Sequence, residues 1–156
     1  MSRWVLPTTA DVGIRAFSSD AQSAISEVTL GLQEVQTEEI EDDVLLGAFS
    51  ENWDVGFPEG DLERCLIRWL EEVLFRGHGE GKWLTECELI LKEAVIEAKV
   101  KWVPTDEVSL GIEVKAITMH ELVMKEVGKQ EVVLGVEDLV PSFEGPGWMA
   151  QVILDV

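Results

Sequence analysis

The sequence predicts an α+β fold: a mixed or antiparallel β-sheet with two helices packed on it, in a single domain over residues 1–156. Three observations carry this expectation. Two stretches in the first half repeat their apolar residues at helical spacing. Ile96, Ala98, Val100 and Trp102 alternate with Glu97, Lys99 and Lys101, the pattern of a strand with one wet face. The second half is a run of short strand-like segments separated by Gly and Pro rather than by further helices. A chain of this length can bury one sizeable core without disulfide or metal staples.

Taken in order, Val12, Ile14 and Ala16 alternate with Gly13, Arg15 and Phe17 and read as the first strand. Ser19 or Asp20 offers a helix N-cap, and Ala21, Ile25, Val28, Leu32 and Val35 follow on one helical face. The acidic residues 37–43 read as a solvated connection, and residues 44–57 as a strand. Asp61 can cap a second helix whose buried stripe is Leu62, Leu66, Trp69, Leu70 and Val73, with Gly77 as its terminator. Strands over 86–91 and 96–102 follow, joined by a tight hairpin at 92–94. After a loop at 104–111 come strands at 112–118 and 121–127. A Gly- and Pro-bearing stretch, 128–147, then separates them from a last strand, 148–154, which runs almost to the end of the chain.

Twelve Lys and Arg against 31 Asp and Glu give a net charge of −19. No basic residue lies between Arg15 and Arg64, while acids recur from Asp20 to Glu63. This surface repels phosphate and lacks the basic footprint of an autonomous nucleic-acid binder. It suits either a basic partner or plain solubility. No apolar run approaches the roughly 18 residues of a membrane helix, and no apolar stretch after Trp4 makes a signal peptide. Cys65 and Cys87, without a Cys-x-x-Cys pair, read as buried free thiols of a reducing cytoplasm.

Phosphate-cradling glycine motifs are absent, and Gly77, Gly79 and Gly81 follow a helix rather than lead into one. His78 and His120, the only histidines, lack zinc-ligand spacing, and no nucleophile motif occurs. Trp69 and Trp102 fall in phase with buried stripes and read as core. Two carboxylates remain. Asp11 immediately precedes the first apolar strand, and Asp155 follows the last one as the penultimate residue. If those strands are neighbours, Asp11, Asp155 and the terminal oxygens of Val156 converge into an all-oxygen set suited to a hard cation such as Ca²⁺ or Mg²⁺.

The segment Thr9-Ala10-Asp11-Val12-Gly13-Ile14-Arg15 resembles the opening signature of the archease family. Further resemblance lies at Asp61-Leu62-Glu63, at Glu113-Val114-Lys115-Ala116-Ile117-Thr118-Met119-His120, and at Trp148-Met149-Ala150-Gln151-Val152-Ile153-Leu154-Asp155-Val156. These blocks stand in family order. The resemblance implies a cytoplasmic α+β protein that is not itself an enzyme. Its partner would be the tRNA-splicing RNA ligase, which joins a 3′-phosphate or 2′,3′-cyclic phosphate end to a 5′-hydroxyl. The family helps that ligase become guanylylated and turn over repeatedly. It also implies a metal site on Asp11, Asp155 and the Val156 carbonyl, usually holding calcium, with Mg²⁺ or Mn²⁺ as alternatives. Lys115 and His120 match polar positions of the family's central block, and equally read as an outward strand lysine and a turn histidine.

Two departures stand out. The family's opening His is Thr8 here, and residues 128–147 exceed the family's short hairpin, which reads as a tolerated insertion. The competing functional expectations are a metal-dependent phosphoester hydrolase using a water on an Asp11/Asp155 ion, and an acidic chaperone for RNA-processing proteins.

Overall fold

Both apolar stripes at helical spacing fold as helices. In the computed structural model, which describes residues 2–7 and 11–156, α1 spans Ala21–Gln36 and opens on Asp20, whose Oδ1 accepts from the Ser23 N–H at 2.8 Å. A short α2 (Asp42–Leu46) follows, then α3 (Leu62–Gly79), whose N-cap Asp61 accepts from the Arg64 N–H at 3.0 Å. Two expectations need correction here. There are three α-helices among the described residues rather than two, because Ile40 of the expected solvated connection, with Val44 and Ala48 of the expected strand, packs on Trp83, Val103 and Val108. Helix α3 also runs through Gly77 instead of stopping there. Gly77 is buried where a Cβ would lie 3.1 Å from Trp83 Cε3, so its small size serves close helix–strand approach.

The strands are β1 (Arg3–Leu6), β2 (Val12–Ser18), β3 (Thr37–Glu39), β4 (Phe49–Gly56), β5 (Lys82–Leu91), β6 (Val95–Pro104), β7 (Ser109–Leu110), β8 (Ala116–Ile117), β9 (Val123–Val127), β10 (Val132–Val133), β11 (Phe143–Glu144) and β12 (Gly147–Asp155). Their pairing is antiparallel throughout. Instead of one sheet they form two principal ones. The first runs β1-β2-β12, and the far side of β12 pairs with β8 toward the C-terminus and β9 before it; the second runs β4-β6-β5. The expected strand at 44–57 begins only at Phe49, since α2 takes its start. The expected strand at 112–118 shrinks to Ala116–Ile117. Residues just before it are bound to the end of α1: the Gly111 and Val114 N–H groups donate to the Gln36 main-chain and side-chain oxygens at 2.9 and 3.3 Å. β3 and β7 pair with each other, which turns the expected connections at 37–43 and 104–111 into a small ribbon.

One core cluster draws on α1, α3 and the facing sides of both sheets. Trp69 is fully buried and donates its Nε1–H to Thr29 Oγ1 at 2.9 Å, which satisfies the only polar atom of its side chain. Trp102 is half-buried, stacked on Phe49 at 4.6 Å between ring centroids, and donates to Glu51. Cys65 is buried, but Cys87 is only partly so; both are free. Among the described residues no helix is long and apolar enough to cross a membrane.

Residues 128–147 are more than a tolerated bulge. Along β12 the even positions face the main core, whereas Met149, Gln151 and Ile153 face the opposite side of the sheet. The excursion folds over that second side. Phe143 stacks on Phe17 at 4.3 Å, Val133 joins Phe17, Val127 and Met149, and Val140 packs with Leu6 and Ile153. Arg15 fastens it, donating to the Leu134 carbonyl at 3.1 Å and to Gln151 Oε1 at 2.8 Å.

Candidate functional site

Strands β2 and β12 run side by side with the register Ile14–Val152, Gly13–Ile153 and Val12–Leu154. The ladder ends there, with Asp11 in the bend just before β2 and Asp155 one residue past Leu154 on β12. Leu154 is buried in the core, so alternation turns Asp155 to the outer face, and both carboxylates are exposed. Gly13 lets the strands and β1 close up at this end: a Cβ there would sit 2.8 Å from Leu6 Cδ1 and 2.9 Å from Ile153 Cδ1.

The other edge of β12 holds the tail in place. The Lys115 N–H donates to the Asp155 carbonyl at 2.7 Å, and the Thr118 N–H donates to the Ile153 carbonyl at 3.0 Å. Thr118 Oγ1 adds a second bond to that carbonyl at 2.9 Å and accepts from the His120 N–H at 3.2 Å. Val156 is half-buried and packs against the main core. The end of the chain is therefore clamped from both sides, in contrast to the fraying usual at a terminus.

Of the residues singled out from sequence, Asp11, Asp155, Val156 and Lys115 lie at the same end of the sheet, and the Lys115 N–H bonds the Asp155 carbonyl. His120 lies in the exposed turn after β8, linked to the group through Thr118. Thr8, Thr9 and Ala10 lie outside the described residues. Among the described residues no three His, Cys, Asp or Glu side chains gather closely enough to hold a metal ion. A cation here would have two carboxylates and the main-chain or terminal oxygens of Val156, with water completing its shell. That all-oxygen set fits a hard divalent ion. Beside the group, a cavity of 450 Å³ lies between the end of α3 and residues 113–117, lined in part by Glu71, Phe75, His78, Glu113 and Lys115. His78 Nε2 is 2.8 Å from Gln36 Oε1, the atom that also accepts from Val114, so the end of α1 braces the segment leading through Lys115 into β8.

Thr118 is a residue of this end of the sheet that the sequence does not single out. Its only sequence signal is a hydroxyl three positions after Lys115, and its partner, the Ile153 carbonyl, is 35 residues away.

Comparison with known proteins gives three findings. The model of the archease protein family matches residues 4–156. Protein archease of Thermococcus gammatolerans is 31% identical over 129 residues, covering 78% of this chain and 87% of that protein. The solution structure of Methanobacterium thermoautotrophicum protein 1598 shares the fold with a TM-score of 0.62, at 21% identity over 99% of both chains.

Proposed function

The chain belongs to the archease family, and from that premise we propose that it is a non-catalytic activator of a tRNA-splicing RNA ligase, promoting ligase guanylylation and multiple turnover in tRNA splicing and RNA repair. The family match over residues 4–156 carries the reading. The charge supports it: a ligase needs a basic groove to grip RNA, and a protein of net charge −19 is drawn to such a groove while RNA itself repels it. Autonomous nucleic-acid binding is accordingly no part of the function, and its place of work is the cytoplasm.

We assign Asp11, Asp155 and the Val156 oxygens as ligands for a divalent cation, Ca²⁺ first and Mg²⁺ or Mn²⁺ otherwise. When bound, such an ion supplies a concentrated positive charge that attracts phosphate or carboxylate oxygens. The chain's own residues position it. The Lys115 N–H and Thr118 hold the last strand, so the Asp155 carboxylate projects from fixed backbone rather than from a mobile tail. Lys115 and His120, at the same rim, are assigned to contact the ligase or its nucleotide.

The test is a ligation assay with purified cognate ligase, GTP, divalent metal and cut RNA. Adding this protein is expected to raise product per ligase, and Asp11→Ala or Asp155→Ala to abolish the gain with the circular dichroism spectrum unchanged. No gain with wild type would overturn the activator role. Hydrolysis of phosphoesters by the protein alone would overturn the non-catalytic assignment.

A further inference from the structure

Helix α2 presents apolar side chains to solvent in the most acidic stretch of the chain. Leu46 is 89% exposed and Leu45 41%. Glu38, Glu39, Glu41, Asp42 and Asp43 immediately precede the leucines and are all exposed, with no basic residue in sequence between Arg15 and Arg64. Elsewhere the acids are often neutralised: Glu27 and Glu34 by Arg3, Glu51 by Lys82 and Arg76, Glu72 by Arg76. None of the five around α2 takes part in an ion pair among the described residues.

The platform beneath is firm. Ile40, Val44 and Ala48 rest on Trp83, Val103 and Val108, which are 1%, 0% and 8% exposed. Beside Leu45 a groove of 260 Å³ opens, walled by Leu30, Ile40, Trp83 and Leu84 and rimmed by the paired Arg3 and Glu34, roomy enough for an incoming apolar side chain. A solubility surface needs the charges but has no use for two bare leucines side by side on a short acidic helix.

From this we propose that the α2 surface is a docking site for a cationic amphipathic segment of a protein partner. Its apolar side chains would sit on Leu45 and Leu46, and its lysines or arginines would meet the five carboxylates. Charge decides between occupants. Nucleic acid and anionic lipid headgroups share the sign of this surface and are repelled. A second copy would bring the same five acids against these, which costs more than the small apolar contact returns. A basic amphipathic segment satisfies both halves of the pattern. The inference stands on this surface alone, apart from the tail site and the activator role.

The probe is a synthetic helical peptide of leucine and lysine with its leucines on one face, compared with a peptide in which serine replaces leucine. Amide chemical-shift changes on adding the leucine–lysine peptide are expected to centre on residues 38–49. Fluorescence anisotropy is expected to show about tenfold weaker binding for Leu46→Ser, a change at a side chain too exposed to affect folding. A similar loss is expected for Asp42→Asn with Asp43→Asn, and none for the control Glu59→Gln with Glu63→Gln, which removes the same charge elsewhere. Equal loss in the control, equal binding of the serine peptide, or shift changes centred elsewhere would overturn the assignment. So would self-association of the free chain, or capture by phosphatidylserine vesicles, if Leu46→Ser removed either one; these outcomes would give the surface to a second copy or to a membrane.

Discussion

The carboxylate of Glu51 ties four elements together. From β4 it accepts two bonds from Lys82 Nζ of β5 at 3.0 and 3.1 Å, one from Trp102 Nε1 of β6 at 2.8 Å, and one from Arg76 of α3 at 3.4 Å. The Lys82 bond foremost, against an opposing push from burial and with help from Trp102, holds its pKa below the ordinary carboxylate value. A depressed folded pKa means the unfolded chain binds the proton more readily. The stabilisation is therefore complete above the unfolded carboxylate pKa of about 4.3 and is lost as pH falls through the folded value. Glu51→Gln is expected to lower the unfolding temperature at neutral pH, with the gap to wild type closing below about pH 4. Thermal melts by circular dichroism across that range check this, and a gap that stayed constant would assign the loss to packing instead. The candidate site works at the same scale, and its legibility was uneven. Asp11 and Asp155 stand out because one immediately precedes the first apolar strand and the other directly follows the last. The Lys115 bond to Asp155 and the double bond from Thr118 to Ile153 leave no local pattern, since each joins residues at least 35 apart.

At the scale of elements, what was legible is what local periodicity controls. Helices α1 and α3, their Asp caps, and the β5–β6 hairpin all follow from spacing that repeats within a few residues. Misread elements are those decided from far away. The β3–α2 unit has too few apolar residues to announce itself, and becomes ordered because Trp83, some 40 positions later, gives Ile40 and Val44 something to rest on. β1 is four residues long and gains its place through β2 and through the ion pairs of Arg3 with Glu27 and Glu34. The excursion at 128–147 is the largest such case. The outer face of its sheet is apolar at Phe17, Val127, Met149 and Ile153, and the excursion covers those residues. Replacing 129–145 by a short turn is therefore expected to leave the helical circular dichroism intact. It should also expose the face, lower solubility and raise binding of a hydrophobic dye. A shortened chain as soluble and as dye-silent as wild type would return the excursion to the status of a bulge.

Across the whole molecule, charge is the dominant long-range force. A net −19 on 156 residues sets like charges against one another over most of the surface, and that repulsion destabilises the compact state. Monovalent salt screens it: the Debye length falls from about 30 Å at 0.01 M to about 8 Å at 0.15 M. The unfolding temperature should then climb with NaCl by several degrees, since 1 kcal/mol corresponds to about 2–4 °C in a chain of this size. Divalent ions act by a second route if the ends of the chain bind them. A ligand that binds only the folded state adds RT ln(1 + [L]/Kd), about 2.7 kcal/mol at a hundredfold excess over Kd. Melts at fixed ionic strength separate the two. Replacing NaCl by CaCl2 at equal ionic strength is expected to raise the melting temperature of wild type further, and to do so far less for Asp155→Asn. The screening by NaCl alone should remain nearly the same in both, because one charge in nineteen is a small part of the total. An equal response of the two proteins to calcium would mean that the ion acts only as a screen. The end of the chain would then be a well-clamped strand with no ion of its own, while the acidic surface at α2 would be unaffected by that result.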